Sequence, residues 1–278
     1  MKLFTGFLVL VLFTHVCNAQ YYYKDLVVTS QTSGQWKQYR DNAVRSVRLS
    51  GSEADGQPSE GFLGQQDIAS DYSLITTHTK AVGNPDTWLF VYYSPEGRPV
   101  KIQDTSDTYR SLSEYQFNAA GDLTTLTNTS METDNHLEDV EQHIWHYDDK
   151  DRPVSMLKIK NGSDTTYVRL VLDEKGNVAE EHASRHKYPL PTVYYYYDQN
   201  NHLTDIVRYN LKAQRLLPDY MFEYDGNRLT SMLVVPEGSN DYQKWVYEYN
   251  EKGLKAKESC FNRKKELQGS ITYEYSSK

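Results

Sequence analysis

Aromatic and apolar residues alternate with polar residues at regular intervals over most of this chain. In eight places an apolar or aromatic residue stands directly before a predicted turn: Tyr93, Phe117, Tyr147, Leu172, Tyr197, Tyr224, Tyr249 and Tyr275. Two residues before each of these stand Val91, Tyr115, Trp145, Leu170, Tyr195, Phe222, Tyr247 and Tyr273. A spacing of two places both columns on the same face of a β-strand. The pattern therefore predicts a series of strands, each with one aromatic face.

A short polar residue follows each of these strand ends: Ser94, Asn118, Asp148, Asp173, Asp198, Asp225, Asn250 and Ser276. Such side chains accept hydrogen bonds from backbone amides two residues on, and so start turns. Three residues later most copies have a residue that tolerates positive φ: Gly97, Gly121, Asp151, Gly176, Asn201 and Gly253. Each copy is therefore predicted to be a β-hairpin, and the copies recur about every 25 residues.

The predicted fold class is all-β, with consecutive antiparallel hairpins in one meander. About fifteen strands are too many for an open twisted sheet, so the sheet should be strongly curved, barrel-like or a half-barrel. The repeat defines a domain over residues 87–278, after an N-terminal β and loop segment over residues 20–86. In the last copies the alternate strand face carries Glu223, Glu248 and Glu274. In early copies it is apolar, at Phe90, Tyr92 and Ile144, so a second layer could cover it.

The combined pattern, Tyr-x-Tyr-Asp-x-x-Gly-x-Leu, resembles the YD repeat of bacterial RHS-type proteins. The resemblance covers roughly two thirds of the chain. Large RHS proteins need many more copies to form a closed shell, and they carry a toxin after a processing segment. The resemblance therefore implies a short, exported bacterial YD-repeat protein without a toxin domain.

Residues 1–19 have the composition of a secretory signal peptide. Lys2 precedes an apolar run over residues 3–13, and Cys17-Asn18-Ala19 fits a cleavage site. Lipidation at Cys17 is the less favoured alternative, because bulky Val16 precedes it. The predicted location is the periplasm, the cell surface or the extracellular space. Loss of this segment removes one lysine and changes the net charge from −8 to −9.

The segment over residues 20–86 is less regular, and strands are favoured there over helix. Residues 21–28 suggest an opening strand. Residues 36–49 suggest a hairpin that turns at Asp41-Asn42, with Val44, Val47 and Leu49 inward, or else a short helix. Residues 50–66 have a loop-like composition, and residues 73–79 are predicted to form a strand.

The sequence lacks the motifs of common enzymes and cofactor sites, so we predict no catalytic residues and no cofactor. The chain is acidic and has no basic stripe, which disfavours nucleic acid as a partner. Charges on the return strands, such as Glu180, Glu181, Lys255 and Lys257, disfavour a membrane-spanning barrel.

No metal site is predicted either. His143 and His146 are three residues apart on a strand and point to opposite faces, so His143 is interpreted as a core or rim histidine. Asp148 to Asp151 is interpreted as a turn rather than a calcium loop. Cys260, the only cysteine after the leader, is interpreted as a small apolar core residue.

Tyrosines on the alternate strand face are the best candidates for ligand binding. Tyr92, Tyr194 and Tyr196 alternate with the core columns and are expected to face solvent. Exposed aromatic side chains stack on sugar rings or anchor protein partners. The sequence thus favours a non-enzymatic binding or scaffolding module of the bacterial cell envelope, with a glycan or an envelope protein as ligand. The alternative is an envelope carbohydrate-active hydrolase that uses paired carboxylates.

Overall fold

The computed structural model describes residues 21–106, 109–132, 138–210, 213–235 and 241–277. Within these residues the chain forms one helix, α1 (Lys24–Asp41), followed by nineteen β-strands. The predicted leader, residues 1–19, and the lipidation alternative at Cys17 lie outside the described residues.

The strands follow one another along the chain with short connections. Their bounds are β1 (Ser46–Glu53), β2 (Leu63–Ile68), β3 (Leu74–Lys80), β4 (Thr87–Tyr93), β5 (Pro99–Thr105), β6 (Tyr109–Phe117), β7 (Leu123–Glu132), β8 (Glu138–Tyr147), β9 (Pro153–Lys160), β10 (Asp164–Leu172), β11 (Val178–Arg185), β12 (Tyr188–Pro189), β13 (Val193–Tyr197), β14 (Leu203–Asn210), β15 (Arg215–Asp225), β16 (Arg228–Val234), β17 (Gln243–Tyr249), β18 (Lys255–Asn262) and β19 (Leu267–Ser276).

The strand pairings are antiparallel, and the sheet closes on itself. Neighbours in sequence are neighbours in the sheet, except that the two-residue β12 lies against β11, which also pairs with β13. Strand β1 pairs with β2 and also with β19, where Ser46 lies opposite Ser276. The described strands therefore form a closed 18-stranded barrel, which confirms the predicted all-β, barrel-like meander of hairpins.

The repeat turns have the predicted geometry. The Asp148 carboxylate accepts hydrogen bonds from the backbone N–H groups of Lys150, at 2.9 Å, and Arg152, at 3.0 Å. A one-residue register shift precedes the turn, as this kind of hairpin requires. The position three residues after the polar one has positive φ in the full-length turns, at Gly97, Gly121, Asp151, Gly176, Asn201 and Gly253.

Tyrosine recurs at the strand ends because its hydroxyl reaches the neighbouring hairpin. Tyr147 donates a hydrogen bond to the carbonyl oxygen of Leu123 at 2.8 Å, and Tyr275 donates to that of Lys255 at 2.7 Å. Tyr197 and Tyr249 make the equivalent bonds. Each acceptor lies at the start of the return strand in the preceding copy. Phenylalanine would fill the same space without linking adjacent hairpins in this way.

The expectation of strands over residues 21–41 is wrong, since α1 occupies most of this stretch. Its buried residues lie four, three, four and three positions apart, at Asp25, Thr29, Thr32, Trp36 and Tyr39. This is helical spacing, but three of the five are polar, so the sequence shows no amphipathic stripe. The hydroxyls of Thr29 and Thr32 donate hydrogen bonds to carbonyl oxygens four residues earlier, at 2.6 and 2.8 Å, which makes the burial of these side chains tolerable.

After the helix, the sequence expectations are partly met. Val44, Val47 and Leu49 are buried, as predicted, and β3 forms where a strand was expected. The loop expected over residues 50–66 is shorter, because β1 continues to Glu53 and β2 begins at Leu63. The domain boundary between residues 86 and 87 marks where the repeat begins, and it stays a prediction.

Residues 21–44, called here the interior segment, lie against the inner face of the barrel wall. Tyr21 and Tyr22 pack in a hydrophobic cluster with inward residues of β7–β18. Trp36, Tyr39 and Val44 pack in a second cluster with inward residues of β1–β5 and β19. The interior segment therefore contributes to both parts of the core.

Within the described residues, no helix is both long enough and apolar enough to cross a bilayer.

Candidate functional site

Strand β4 is apolar on both of its faces. Its inward residues, Leu89, Val91 and Tyr93, contribute to the second hydrophobic cluster. Trp88 and Phe90, with Tyr92, point outward, where no other helix or strand in the described ranges covers them. Trp88 is 40% exposed. The second layer that an apolar outer face suggested is therefore absent from the described residues, and core packing does not account for these outward aromatic side chains.

The outward aromatic side chains of β3 and β4 form an ordered row. The His78 and Trp88 rings are stacked with centroids 4.0 Å apart and planes 6° apart. The Trp88 and Phe90 rings are 6.2 Å apart at 12°. Tyr92 follows on the same face, with Lys101 Nζ 4.2 Å from its ring centroid. We call His78, Trp88, Phe90 and Tyr92 the outer aromatic row.

A shallow depression of about 440 Å³ lies beside the outer aromatic row. Trp88 and Phe90 line it together with polar side chains, Asp86, Gln103, Thr105, Ser106 and Arg110. Lys80 Nζ and His78 Nε2 approach the Asp86 carboxylate at 3.2 and 3.3 Å. The hydrogen bond from Lys80 lowers the pKa of Asp86, so this carboxylate is ionised at neutral pH and accepts hydrogen bonds. The depression thus places apolar ring surface next to hydrogen-bonding groups that carry positive and negative charge.

The three tyrosines that the sequence singled out do not form one surface. Tyr92 belongs to the outer aromatic row on β4, whereas Tyr194 and Tyr196 lie on the outer face of β13. Seven strands, β5–β11, separate β4 from β13 in the sheet. At about 4.8 Å between neighbouring strands, this is roughly 38 Å along the wall. One small ligand cannot contact all three residues.

Tyr194 and Tyr196 belong to a different outer surface. Tyr196 is 47% exposed. Met221 lies two strands away on the same face, because both residues pair with Asp205 of β14. Tyr209, also exposed, lies further along β14. We call Tyr194, Tyr196, Tyr209 and Met221 the tyrosine patch. Among the described residues none of its rings stacks on another, so the patch lacks the regular geometry of the outer aromatic row.

Inside the barrel, charged side chains converge on the start of α1. Asp25 Oδ2 is 2.6 Å from His143 Nδ1 and accepts a hydrogen bond from Trp145 Nε1 at 3.2 Å. His143 Nε2 lies 2.9 Å from a Glu141 carboxylate oxygen, and Lys158 forms an ion pair with the same carboxylate. Asp25 and His143 are only 6% and 2% exposed. His143 is thus the core histidine that its inward position predicted.

Two carboxylates flanking one imidazole set its protonation. Burial alone would lower the pKa of His143, but Asp25 and Glu141 raise it to about 9. Burial likewise opposes ionisation of Glu141, but its bonds with His143 and Lys158 lower its pKa to about 2. At neutral pH the His143 imidazole is therefore protonated and shared between two carboxylates.

A second buried carboxylate holds the backbone before the helix. Glu181 accepts hydrogen bonds from the N–H groups of Tyr22, at 3.0 and 2.9 Å, and Tyr23, at 2.9 Å. The Tyr195 hydroxyl is a third donor to this carboxylate, at 2.9 Å. Burial raises the pKa of Glu181 although these three donors oppose the shift. Each of these polar groups lies against the interior segment, so their evident role is to position it.

His146 and Cys260 occupy the positions that the sequence predicted for them. His146 is exposed on the face opposite His143. Cys260 is buried and free, and burial raises the pKa of its thiol to about 12. Within the described ranges, no three His, Cys, Asp or Glu side chains group closely enough to hold a metal ion.

Sequence reasoning found Tyr92 but missed the rest of the outer aromatic row. Trp88 and Phe90 alternate with the inward residues of β4, and this alternation was the available signal. His78 joins them through cross-strand pairing, because it lies directly opposite Trp88. The pairing register between β3 and β4 cannot be derived from the sequence, because the turn that joins these two strands is not one of the repeat turns.

The sequence matches no family model and no curated protein sequence. Among solved structures, the chain is similar to a porin-like protein from Bacteroides uniformis, with 11% identity and a TM-score of 0.39 over 84% of this chain and 98% of that one. A porin-like protein from Bacteroides vulgatus gives 12% identity and a TM-score of 0.31, with coverage of 84% and 98%.

The chain is also similar to the Tc holotoxin pore of Photorhabdus luminescens, with 11% identity and a TM-score of 0.30. That similarity covers 77% of this chain but only 15% of the toxin chain. Scores and identities this low carry no inference about function. The resemblance to YD-repeat proteins continues to rest on the repeat columns of the sequence.

Proposed function

We propose that this protein is an exported, non-enzymatic binding module of the bacterial cell envelope, and that its ligand is a glycan bound on the outer aromatic row. The observation that carries the proposal is the parallel packing of His78, Trp88 and Phe90 beside a depression with polar walls. Sugar rings present apolar C–H faces that pack on aromatic rings, while their hydroxyl groups need hydrogen-bond partners. The row offers the first kind of contact, and the depression offers the second.

The fixed positions of the side chains in the outer aromatic row favour ligand binding. The Trp88 ring is fixed by the His78 ring stacked on one of its faces, so a ligand that packs on the exposed part of Trp88 costs little additional side-chain entropy. Asp86 and Arg110 on the wall of the depression supply an acceptor and a donor of opposite charge. A polyhydroxylated ligand can bond to both kinds of group, whereas an apolar peptide anchor uses neither.

The envelope location rests on the sequence of residues 1–19. The outer face of the barrel supports an aqueous compartment rather than lipid. Glu223 and Lys244 lie on that face with charged atoms 2.9 Å apart, and Glu248 lies opposite Lys257. Charges at such positions are costly against hydrocarbon. The periplasm, the cell surface and the extracellular space all fit this reasoning.

The carboxylates inside the barrel support the non-enzymatic interpretation. Asp25, Glu141 and Glu181 are the acids that the fold brings to the start of α1, and each already bonds to protein groups. A glycosidase needs two carboxyl groups that reach a substrate across a cleft. The hydrolase alternative would therefore need other acids than these.

The experiment that tests the proposal compares the two outer surfaces. Purified protein, a Trp88→Ala/Phe90→Ala variant and a Tyr194→Ala/Tyr196→Ala variant are applied to an array of bacterial and host glycans. Thermal unfolding verifies that each variant is folded. We expect saturable binding to a subset of glycans, lost in the first variant and kept in the second.

Other outcomes overturn parts of the proposal. Loss of binding in the tyrosine variant alone would move the site to the tyrosine patch. Absence of glycan binding in the unmodified protein would exclude a glycan as the ligand and favour a protein partner, to be sought by cross-linking in the envelope. Turnover of an envelope polysaccharide by the unmodified protein would establish the hydrolase alternative.

A further inference from the structure

The depression beside the outer aromatic row has an aromatic wall on one side and a cationic wall on the other. Trp88 of β4 lies directly opposite Thr105 of β5, which lies directly opposite Arg110 of β6. All three side chains line the depression. Two strand spacings, about 10 Å, therefore separate the two walls, and the short Thr105 side chain lies between them. A sugar ring packed on Trp88 has room there and directs a substituent towards Arg110.

The acidic side chain of this depression already has charged partners. Lys80 Nζ and His78 Nε2 lie 3.2 and 3.3 Å from different oxygens of the Asp86 carboxylate. Neither Lys80 nor His78 lines the depression, so both approach Asp86 from outside it. The positive charge of Lys80 offsets the negative charge of Asp86. Asp86 therefore adds little net charge to the depression, although its oxygens can still accept a hydrogen bond from a ligand hydroxyl.

The cationic side chain of the depression, Arg110, has no such partner. Its exposed guanidinium group makes no hydrogen bond or ion pair within the described part of the chain. On the outer face, Thr105 and Met131 lie opposite it on the neighbouring strands, and Leu112 is two residues along β6. None of these neighbours carries a negative charge. The uncompensated charge in the depression is therefore positive, and it lies on a planar group that binds a carboxylate through two parallel hydrogen bonds.

Gln103 provides a second polar group beside the aromatic wall. It lies directly opposite Phe90 and lines the depression. Its side-chain amide makes no hydrogen bond with another described residue. An amide group both donates and accepts hydrogen bonds, as sugar hydroxyl groups do. The depression thus offers ring surface, an amide group and a guanidinium group side by side.

We propose that the glycan bound on the outer aromatic row is acidic and contains a sugar ring that carries a carboxylate, as in a hexuronic acid. The ring packs on Trp88, the carboxylate pairs with Arg110, and ring hydroxyl groups bond to Gln103. This inference rests on the proposed function and specifies the class of glycan. The chain has a net charge of −8, which repels an acidic polymer. The preference for an acidic glycan must therefore come from the contact with Arg110 and not from net charge.

The test uses pairs of glycans that differ at one group. Oligosaccharides that contain galacturonic or glucuronic acid are arrayed beside the same oligosaccharides after reduction of their carboxyl groups to primary alcohols. We expect the unmodified protein to bind a subset of the acidic members, and to bind their reduced forms about fivefold more weakly. An Arg110→Gln variant, verified as folded by thermal unfolding, should bind both forms with similar affinity. High salt should reduce the preference of the unmodified protein, because the charge pair is exposed.

Arg169→Gln is the matched control, because Arg169 is likewise an exposed arginine of the outer face, four strands away on β10. It should keep the preference for the acidic forms. Loss of the preference in both variants would reduce the effect to net charge, and its survival in Arg110→Gln would overturn the role of that residue. If the unmodified protein bound acidic and reduced forms equally, this inference would fail and the proposed function would stand. Absence of binding to any glycan, acidic or neutral, would refute both.

Discussion

The two ends of the interior segment are held in the barrel by different kinds of interaction. At its start, Asp25 pairs with the protonated imidazole of His143, and Glu181 accepts hydrogen bonds from two backbone N–H groups. At its other end, the two buried hydrogen bonds to the barrel wall are neutral. Trp36 Nε1 donates to the carbonyl oxygen of Tyr72 at 2.8 Å, and the Tyr39 hydroxyl donates to the Gln66 amide oxygen at 2.7 Å.

The difference has an energetic consequence. A buried ion pair adds little net stability when both partners are present, but removal of one partner leaves the other charged in a poor solvent. A neutral hydrogen bond costs much less to lose. Substitutions and pH changes at the start of the segment should therefore alter the stability of the protein strongly. At the other end, stability should depend mainly on how well the side chains fit against the wall.

The largest effect is expected for Asp25→Ala, which leaves His143 without its nearest carboxylate. We expect the free energy of unfolding to fall by about 3–5 kcal/mol, as measured by urea denaturation at pH 7. Asp41→Ala is the control, because Asp41 lies at the exposed end of the same helix and pairs there with Lys37. That variant should lose much less stability, because the Asp41–Lys37 pair is exposed to solvent. Equal losses would contradict the comparison.

The pH dependence of stability should come from the charged end. The folded pKa of His143, about 9, lies above its ordinary value of 6.5. Its stabilising contribution is therefore complete below pH 6.5 and is lost as pH rises through 9. Unfolding free energy should fall by about 2–3 kcal/mol between pH 6.5 and 9.5. The same urea series on His143→Gln should show no such slope, and a persistent slope would assign it to other groups.

Steric fit should affect stability most at the end of the interior segment that contains Trp36, because this side chain packs over the first repeat turn. Gly97 has φ of +83°, and a Cβ there would overlap the Trp36 ring. Gly253 has a similar φ in a later turn, but a Cβ there would meet only the flexible end of Arg228. Gly97→Ala should therefore lower the unfolding free energy by about 2 kcal/mol more than Gly253→Ala does. Equal melting temperatures for the two variants would show that Trp36 moves aside without cost.

The smallest effect is expected for Tyr39→Phe, which removes one neutral hydrogen bond to Gln66. A loss of about 1 kcal/mol is expected, and it should be the same from pH 6.5 to 9. Tyr167→Phe, at an exposed tyrosine on β10, should change stability little. A pH-dependent loss in Tyr39→Phe would mean that the two ends of the segment are electrostatically coupled.

Local patterns made the barrel wall predictable from sequence. The turn residues alone specify the hairpins, because Asp148 and its equivalents bond to their own turn and residues such as Asp151 and Asn201 accept positive φ. Closure also follows from strand number, although the pairing of β1 with β19 has no local signal.

The interior segment was not predictable in the same way. Its buried stripe includes Asp25, Thr29 and Thr32, whose burial makes sense only once His143 and the backbone carbonyls are in place. The prediction that Tyr92, Tyr194 and Tyr196 belong to one binding surface failed for a related reason. Tyr92 and Tyr196 have the same pattern along the chain, and only the order of strands around the wall shows that they lie on different surfaces.

Closure of the wall through β1 and β19 also bears on how the chain folds. Ser46 and Ser276 must find each other across nearly the whole described sequence, and contacts of such long separation form slowly. The hairpins between them are local and can form early, whereas the interior segment is synthesised first and enclosed only when the last strand arrives. Until then two unpaired strand edges are available to other molecules. The period before closure is therefore when this protein is most exposed to aggregation and most dependent on chaperones.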